Sequence, residues 1–137
     1  MLNPSTADAA TADATIRRCI GFAGRWGSSG LLVVNVFGLR STDPAALAGH
    51  PDPVGPDNDR VIAAVLGADP VGQVVAAWGT NRVVRAARVA QIRALLHPLG
   101  LPLMCLGTSV AGHPRHPLYL PSNTPLIPYE KRTRTCP

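Results

Sequence analysis

Apolar residues recur at Ile16, Cys19, Ile20, Ala23 and Trp26, the i, i+3, i+4, i+7 spacing of one helix face. The pattern predicts an amphipathic helix that starts near Asp13 or Thr15 and stops at Gly27, a residue suited to a left-handed helix end. From Leu31 to Phe37 the chain is continuously apolar except for Asn35, which predicts a strand buried on both faces. The Pro-, Asp- and Gly-rich stretch from Gly38 to Pro56 predicts loop, with one helical turn around Pro44 to Ala48. A second helix is expected over Asp57 to Leu66, capped by the cluster Asp57, Asn58 and Asp59. Val74 to Trp78 reads as the next buried strand, ending at Gly79. Asn81 to Leu96 reads as the longest helix, with Arg82, Arg85, Arg88 and Arg93 on a broad outer face. Leu103 to Leu106 predicts a third strand that ends at Gly107. Beyond Thr108 the chain is rich in proline and no element is predicted. Residues 1–129 are expected to form a single domain and residues 130–137 a basic, flexible tail.

Strands that alternate with helices imply parallel pairing through right-handed crossovers, with helices on both faces of the sheet. The expected fold class is therefore α/β, a three-layer α/β/α sandwich around a short, mostly parallel sheet. Ligands of such sheets bind at the carboxyl ends of the strands. Asn35, Gly79-Thr80-Asn81 and the segment Thr108 to Tyr119, with His113 and His116, should then open onto one rim.

Composition narrows the class. A length of 137 residues suits one modest core, and 46% hydrophobic content excludes a disordered chain. The 14 prolines and 13 glycines argue against an all-helical bundle, because breakers must sit between short elements. No apolar run approaches the ~20 residues of a membrane helix, and no signal peptide opens the chain, so a cytoplasmic protein without a membrane partner is expected. The net charge of +5 is carried by twelve arginines and one lysine, Lys131. Arginine forks suit phosphates and base edges, which points to DNA or a nucleotide ligand. A GC-rich coding sequence accounts for the same bias equally well. Cys19, Cys105 and Cys136 are odd in number and widely spaced, so neither a disulfide framework nor a metal or cofactor is expected.

Three short segments carry candidate chemistry. His113-Pro114-Arg115-His116-Pro117 sets two imidazoles and a guanidinium on a segment stiffened by proline. Each histidine taken alone reads more simply as a ring satisfying loop carbonyls. Asn35 is polar inside an apolar run, so its amide must be paired or aimed at a ligand, since orphaned burial costs about 1–3 kcal/mol. A carboxamide offers donor and acceptor together, as a nucleobase edge requires. A structural bond to a neighbouring loop is the equal alternative. Asn3-Pro4-Ser5-Thr6 forms a turn that can present backbone N–H groups to an oxygen, although by itself it is a helix-cap signature.

Together these segments resemble a known family. Leu2-Asn3-Pro4-Ser5-Thr6-Ala7-Asp8 and Gly112-His113-Pro114-Arg115-His116-Pro117-Leu118-Tyr119 resemble the bacterial family catalogued as domain of unknown function 1643, over nearly the whole chain. More distantly, the order of motifs resembles the uracil-DNA glycosylase superfamily. Its members carry an Asn-Pro or Asp-Pro motif after the first strand, an Asn at the end of an apolar strand, a strand ending in Trp-Gly and a late His-Pro motif. Here Asn3, Asn35, Trp78-Gly79 and His116-Pro117 fall on those positions, with His113-Pro114 as an alternative register for the last.

The resemblance implies a uracil-DNA-glycosylase-like fold and cleavage of the N-glycosidic bond of a nucleobase flipped out of DNA. In that scheme Asn3 positions water and His116 donates to the departing base anion. Asn35 reads the base, Arg115 clamps a phosphate, and Ser5 and His113 belong to the substrate-binding set. Phe22 is a stacking candidate for which core packing is the simpler role. Asn rather than Asp at position 3 removes a charge, which favours an alternative: a non-catalytic nucleic-acid- or partner-binding module. An enzyme acting on free nucleosides or nucleotides is a third reading. In such a fold a strand should precede Asn3-Pro4, yet only Met1 and Leu2 do. The expectation is a domain lacking its first strand: N-terminally shortened, with an apolar strand encoded ahead of Met1, or completed by a partner chain.

Overall fold

A computed structural model describes residues 1–4, 9–68 and 70–130, and the side chains of residues 9–13 lie outside that description. The fold is mixed α/β, with four α-helices and a three-stranded sheet among the described residues. In chain order the elements are α1 (Ala9–Arg25), α2 (Pro44–Gly49), α3 (Asn58–Ala68), β1 (Val74–Ala76), α4 (Ala86–Leu96), β2 (Leu103–Cys105) and β3 (Ile127–Pro128). Single 3₁₀ turns occupy His97–Leu99 and Pro117–Tyr119.

The amphipathic pattern folds as α1, but the helix starts earlier than Asp13, at Ala9, through residues of high helical propensity. It closes as expected at Gly27, whose φ of 76° lets the Ser28 N–H reach back to the Ala23 carbonyl at 3.0 Å. The turn after Pro44 is α2, capped by the Asp43 carboxylate on the Ala45 N–H at 2.9 Å. The longest helix is α1 and not the segment from Asn81, because residues 81–85 form turns and α4 begins only at Ala86. The Asn81 side chain accepts the Val83 N–H at 2.9 Å and diverts the backbone from helix.

β1 and β2 pair in parallel, Val74 opposite Leu103 and Ala76 opposite Cys105, as a βαβ crossover requires. β3 adds antiparallel to β2, with Cys105 opposite Ile127. A strand and a 3₁₀ turn therefore lie beyond Thr108, where none is predicted. Proline can serve a short edge strand that needs few donors of its own.

Two apolar clusters form the core. Leu47, Ile62, Leu66, Val89, Ile92 and Leu96 join Ala76, Trp78, Leu103 and Cys105 in the larger, and Phe22, Leu106 and Leu120 form the smaller. Successive residues along an extended chain face opposite sides, so Cys105 and Leu106 divide the clusters. Helices α3 and α4 thus contribute to one side of β2, and α1 to the other. Arg88 is not on an outer face: it is 5% exposed, with its guanidinium paired to Asp59 at 2.6 Å and donating to the Val36 carbonyl at 2.6 and 2.9 Å. Arg93 is exposed, as expected of an outer face, and its guanidinium lies over the Tyr129 ring and donates to the Tyr129 carbonyl.

The largest departure concerns Leu31 to Phe37. The segment is not a member of the sheet, and Leu31, Leu32 and Val33 are 39%, 54% and 41% exposed. Its hydrogen-bonding partner is the start of the chain. The Met1 ammonium donates to the Val34 carbonyl, and the Met1 and Leu2 carbonyls accept from Val36 and Phe37, each at 2.9 Å. Farther on, Gly38 donates to the Val54 carbonyl at 3.1 Å, and a Cβ at Gly38 would lie 2.6 Å from that oxygen. The Gly38→Ala variant is expected to lose about 1–3 kcal/mol through this backbone overlap. Urea unfolding should show a lower midpoint at unchanged slope, and an unshifted midpoint would mean that the loop yields freely.

Candidate functional site

The site is built where the carboxyl end of β1, the start of the chain and the His-Pro segment meet. Gly79, with φ of 82°, ends the strand region, and the His116 side chain lies against it. A Cβ on Gly79 would stand 3.5 Å from His116 Cβ, an ordinary contact, so it is the positive φ and not close approach that calls for glycine here. His116 caps the 3₁₀ turn Pro117–Tyr119, its Nδ1 accepting the Leu118 N–H at 3.2 Å. An Nδ1 that accepts must be unprotonated, so the neutral ring carries its proton on Nε2, as a donor. Burial, and secondarily the Met1 ammonium, hold His116 below the usual histidine pKa. The ring is therefore a neutral hydrogen-bond donor near neutral pH.

Asn35 adjoins this corner, because the residues on either side of it are those bonded to Met1. Its backbone carbonyl accepts from Asn58 Nδ2 at 3.0 Å, and its half-buried carboxamide has no hydrogen-bond partner among the described residues. Asn58 is one of the three residues expected to cap α3, and its side chain instead reaches back to fix the Asn35 backbone.

Asn3 follows two residues after Met1. Its Nδ2 donates to the carbonyls of Pro4, Leu39 and Ser41, at 3.1, 3.2 and 2.8 Å. The Asn3-Pro4 turn is thereby tied to the chain leaving Phe37, and any water that Asn3 holds would sit on its Oδ1.

The remaining expected residues are dispersed. Phe22 is 3% exposed, stacked on Trp26 at 5.7 Å between ring centroids and packed with Leu106 and Leu120, which places it in the core. His113 closes a hairpin in which Ser109 donates to its carbonyl at 2.8 Å and Thr108 pairs with Pro114. It is His116, not His113, whose ring meets Gly79. Arg115 is exposed on the segment between them. Ser5 lies outside the described residues, as do Cys136 and the tail from Lys131.

Sequence reasoning missed the Met1 ammonium and the role of Arg88. Burial lowers the Met1 amine to a pKa of about 6, and its charge faces Cys19 and His116. Nothing in the sequence signals that a terminal amine will be buried. Arg88 could have been found, because it shares an i, i+4, i+8 line with Ile92 and Leu96.

The fold and site define a small α/β domain with a fixed, neutral imidazole donor at the carboxyl end of a parallel strand. The chain belongs to the family described as Protein of unknown function (DUF1643), whose family model matches residues 1–118. That span includes both Leu2–Asp8 and the His-Pro segment through Leu118. No curated protein and no solved structure matches the chain. Among the described residues no helix is long and apolar enough to cross a membrane.

Proposed function

We propose that the chain is a uracil-DNA-glycosylase-like protein of three-layer α/β/α design that cleaves the N-glycosidic bond of a flipped nucleobase in DNA. The observation that carries this reading is the tautomer of His116. Its Nδ1 is engaged by the Leu118 N–H, which leaves Nε2–H as the donor of an uncharged ring. A departing base anion is the kind of group such a donor stabilises, and its benefit grows as negative charge develops. Asn35, whose carboxamide has no hydrogen-bond partner among the described residues, would read the polar edge of the base. Asn3 would orient water through Oδ1 toward the anomeric carbon. Water adds there as the C–N bond breaks, the bonding pair leaves with the base, and the proton shed by the water ends on the released base. Arg115, exposed beside the His-Pro loop, would take a backbone phosphate.

A second reading, binding to DNA without cleavage, is favoured by one observation. All three of the Nδ2 contacts made by Asn3 tie down its own turn and the neighbouring loop, and position 3 carries no charge. Incubation with oligonucleotides bearing uracil, hypoxanthine or mismatched thymine, followed by alkali cleavage at abasic sites, separates the two. Cleavage that falls about 10²–10³-fold in His116→Ala, and also falls in Asn35→Ala, is the expected result. Binding that weakens steeply with salt, without base release, would leave the binding module. Neither binding nor release would overturn both.

A further inference from the structure

An open groove of about 810 Å³ separates the segment Leu31–Val34 from β1. Its lining is mainly apolar, with Leu31, Leu32 and Val34 on one side, Val74 and Val75 on the other, and Cys19 and Ala23 of α1 also bordering it. Both long sides are polypeptide backbone without a strand partner in the groove. β1 pairs on its other edge with β2, and Leu31–Val33 pair with nothing in the sheet. Met1 stands at one end. Its nitrogen donates to the Val34 carbonyl and its carbonyl accepts from Val36, which is the alternation of a parallel ladder.

We propose that this groove seats one further β-strand, apolar on both faces, which runs into the Met1 nitrogen and lies between Leu31–Val34 and β1. The direction follows from the ladder. A residue joined to Met1 extends the same parallel pairing back along Val33, Leu32 and Leu31, and at about 3.3 Å per residue a segment of about five residues covers them. The required chemistry follows from what the strand would touch. Side chains on one face meet Cys19 and Ala23, on the helix face that also carries Ile16 and the 54%-exposed Ile20. A strand with helices on both sides reads as continuous Val, Ile and Leu.

The inference does not rest on the glycosylase reading, since it concerns completion of the sheet and not the chemistry at its rim.

The test compares three proteins: the chain as it stands, the chain with a five-residue Val/Ile/Leu extension joined to Met1, and the chain with a Gly/Ser extension of equal length. The apolar extension is expected to raise the midpoint of thermal unfolding well above that of the Gly/Ser control. It should also slow hydrogen exchange at Leu32, Val34 and Val75 by at least tenfold, while the protein remains monomeric. Equal exchange in the two extended proteins would overturn the proposal. So would slowed exchange that appears only with concentration-dependent dimerisation, because a second copy would then be the occupant.

Discussion

Replacing Arg88 by alanine is expected to lower the stability of the chain by about 3 kcal/mol. Arg88 is held at three points. Its guanidinium meets both Asp59 oxygens, at 2.6 and 2.9 Å, donates twice to the Val36 carbonyl, and touches Gln91 Oε1 at 3.2 Å. These contacts tie α4 to α3 and to the segment that carries Asn35. Deleting the side chain leaves the Val36 carbonyl with only the 3.4 Å contact from Asn58, and leaves Asp59 without its counter-charge. A fully buried pair broken on one side costs about 3–5 kcal/mol, and the partial exposure of Asp59 argues for the lower end. The Asp59→Asn variant should lose less, because Arg88 keeps Val36 and an amide oxygen can still accept. Urea unfolding of both variants checks the order. Equal midpoints for Arg88→Ala and the parent would show that the pair contributes nothing net.

Acetylating the Met1 amine is expected to stabilise the protein by about 3 kcal/mol below pH 6 and by little above pH 8. Burial lowers this amine from 8.0 to about 6 in the folded chain. Between those values the unfolded chain holds the proton and the folded chain does not, so stability rises with pH across this window. Below pH 6 both states are charged, and the folded state bears the whole penalty, about 1.4 kcal/mol for each pKa unit. Acetylation removes the charge and keeps one N–H for the Val34 carbonyl. The lowered pKa of His116 acts in the same direction, since its unfolded form also gains a proton first as pH falls. The acetylated protein should therefore retain a smaller pH dependence from His116. Denaturant unfolding of both forms at pH 5.5 and 8.5 is the measurement, and parallel pH dependences would sink the argument.

Elements whose signal is local were legible in advance. The i, i+3, i+4 spacing gave α1, the stretch from Pro44 to Ala48 gave α2, and the apolar runs at Val74 and Leu103 gave a parallel pair. Asn81 to Arg85 misled because helical periodicity persists there while the Asn81 side chain diverts the backbone. β3 was invisible because its pairing with β2 is long-range, and two residues between prolines carry no period. Within the candidate site, Asn35 stood out as a polar group inside an apolar run, and His116 by its place on a proline-stiffened segment and in the resemblance.

By itself the sequence determined the α/β class, the family and the residue types available at the rim, because composition, period and motif are properties of the chain alone. Tertiary structure decided what those residues face. It turned Arg88 inward to join α4 to α3, placed Phe22 in the core and fixed the His116 proton on Nε2. It also showed why Leu31 to Phe37, a strand by composition, is not one in the sheet. A strand exists only through the hydrogen bonds of its neighbours, and the groove beside this one holds none to pair with.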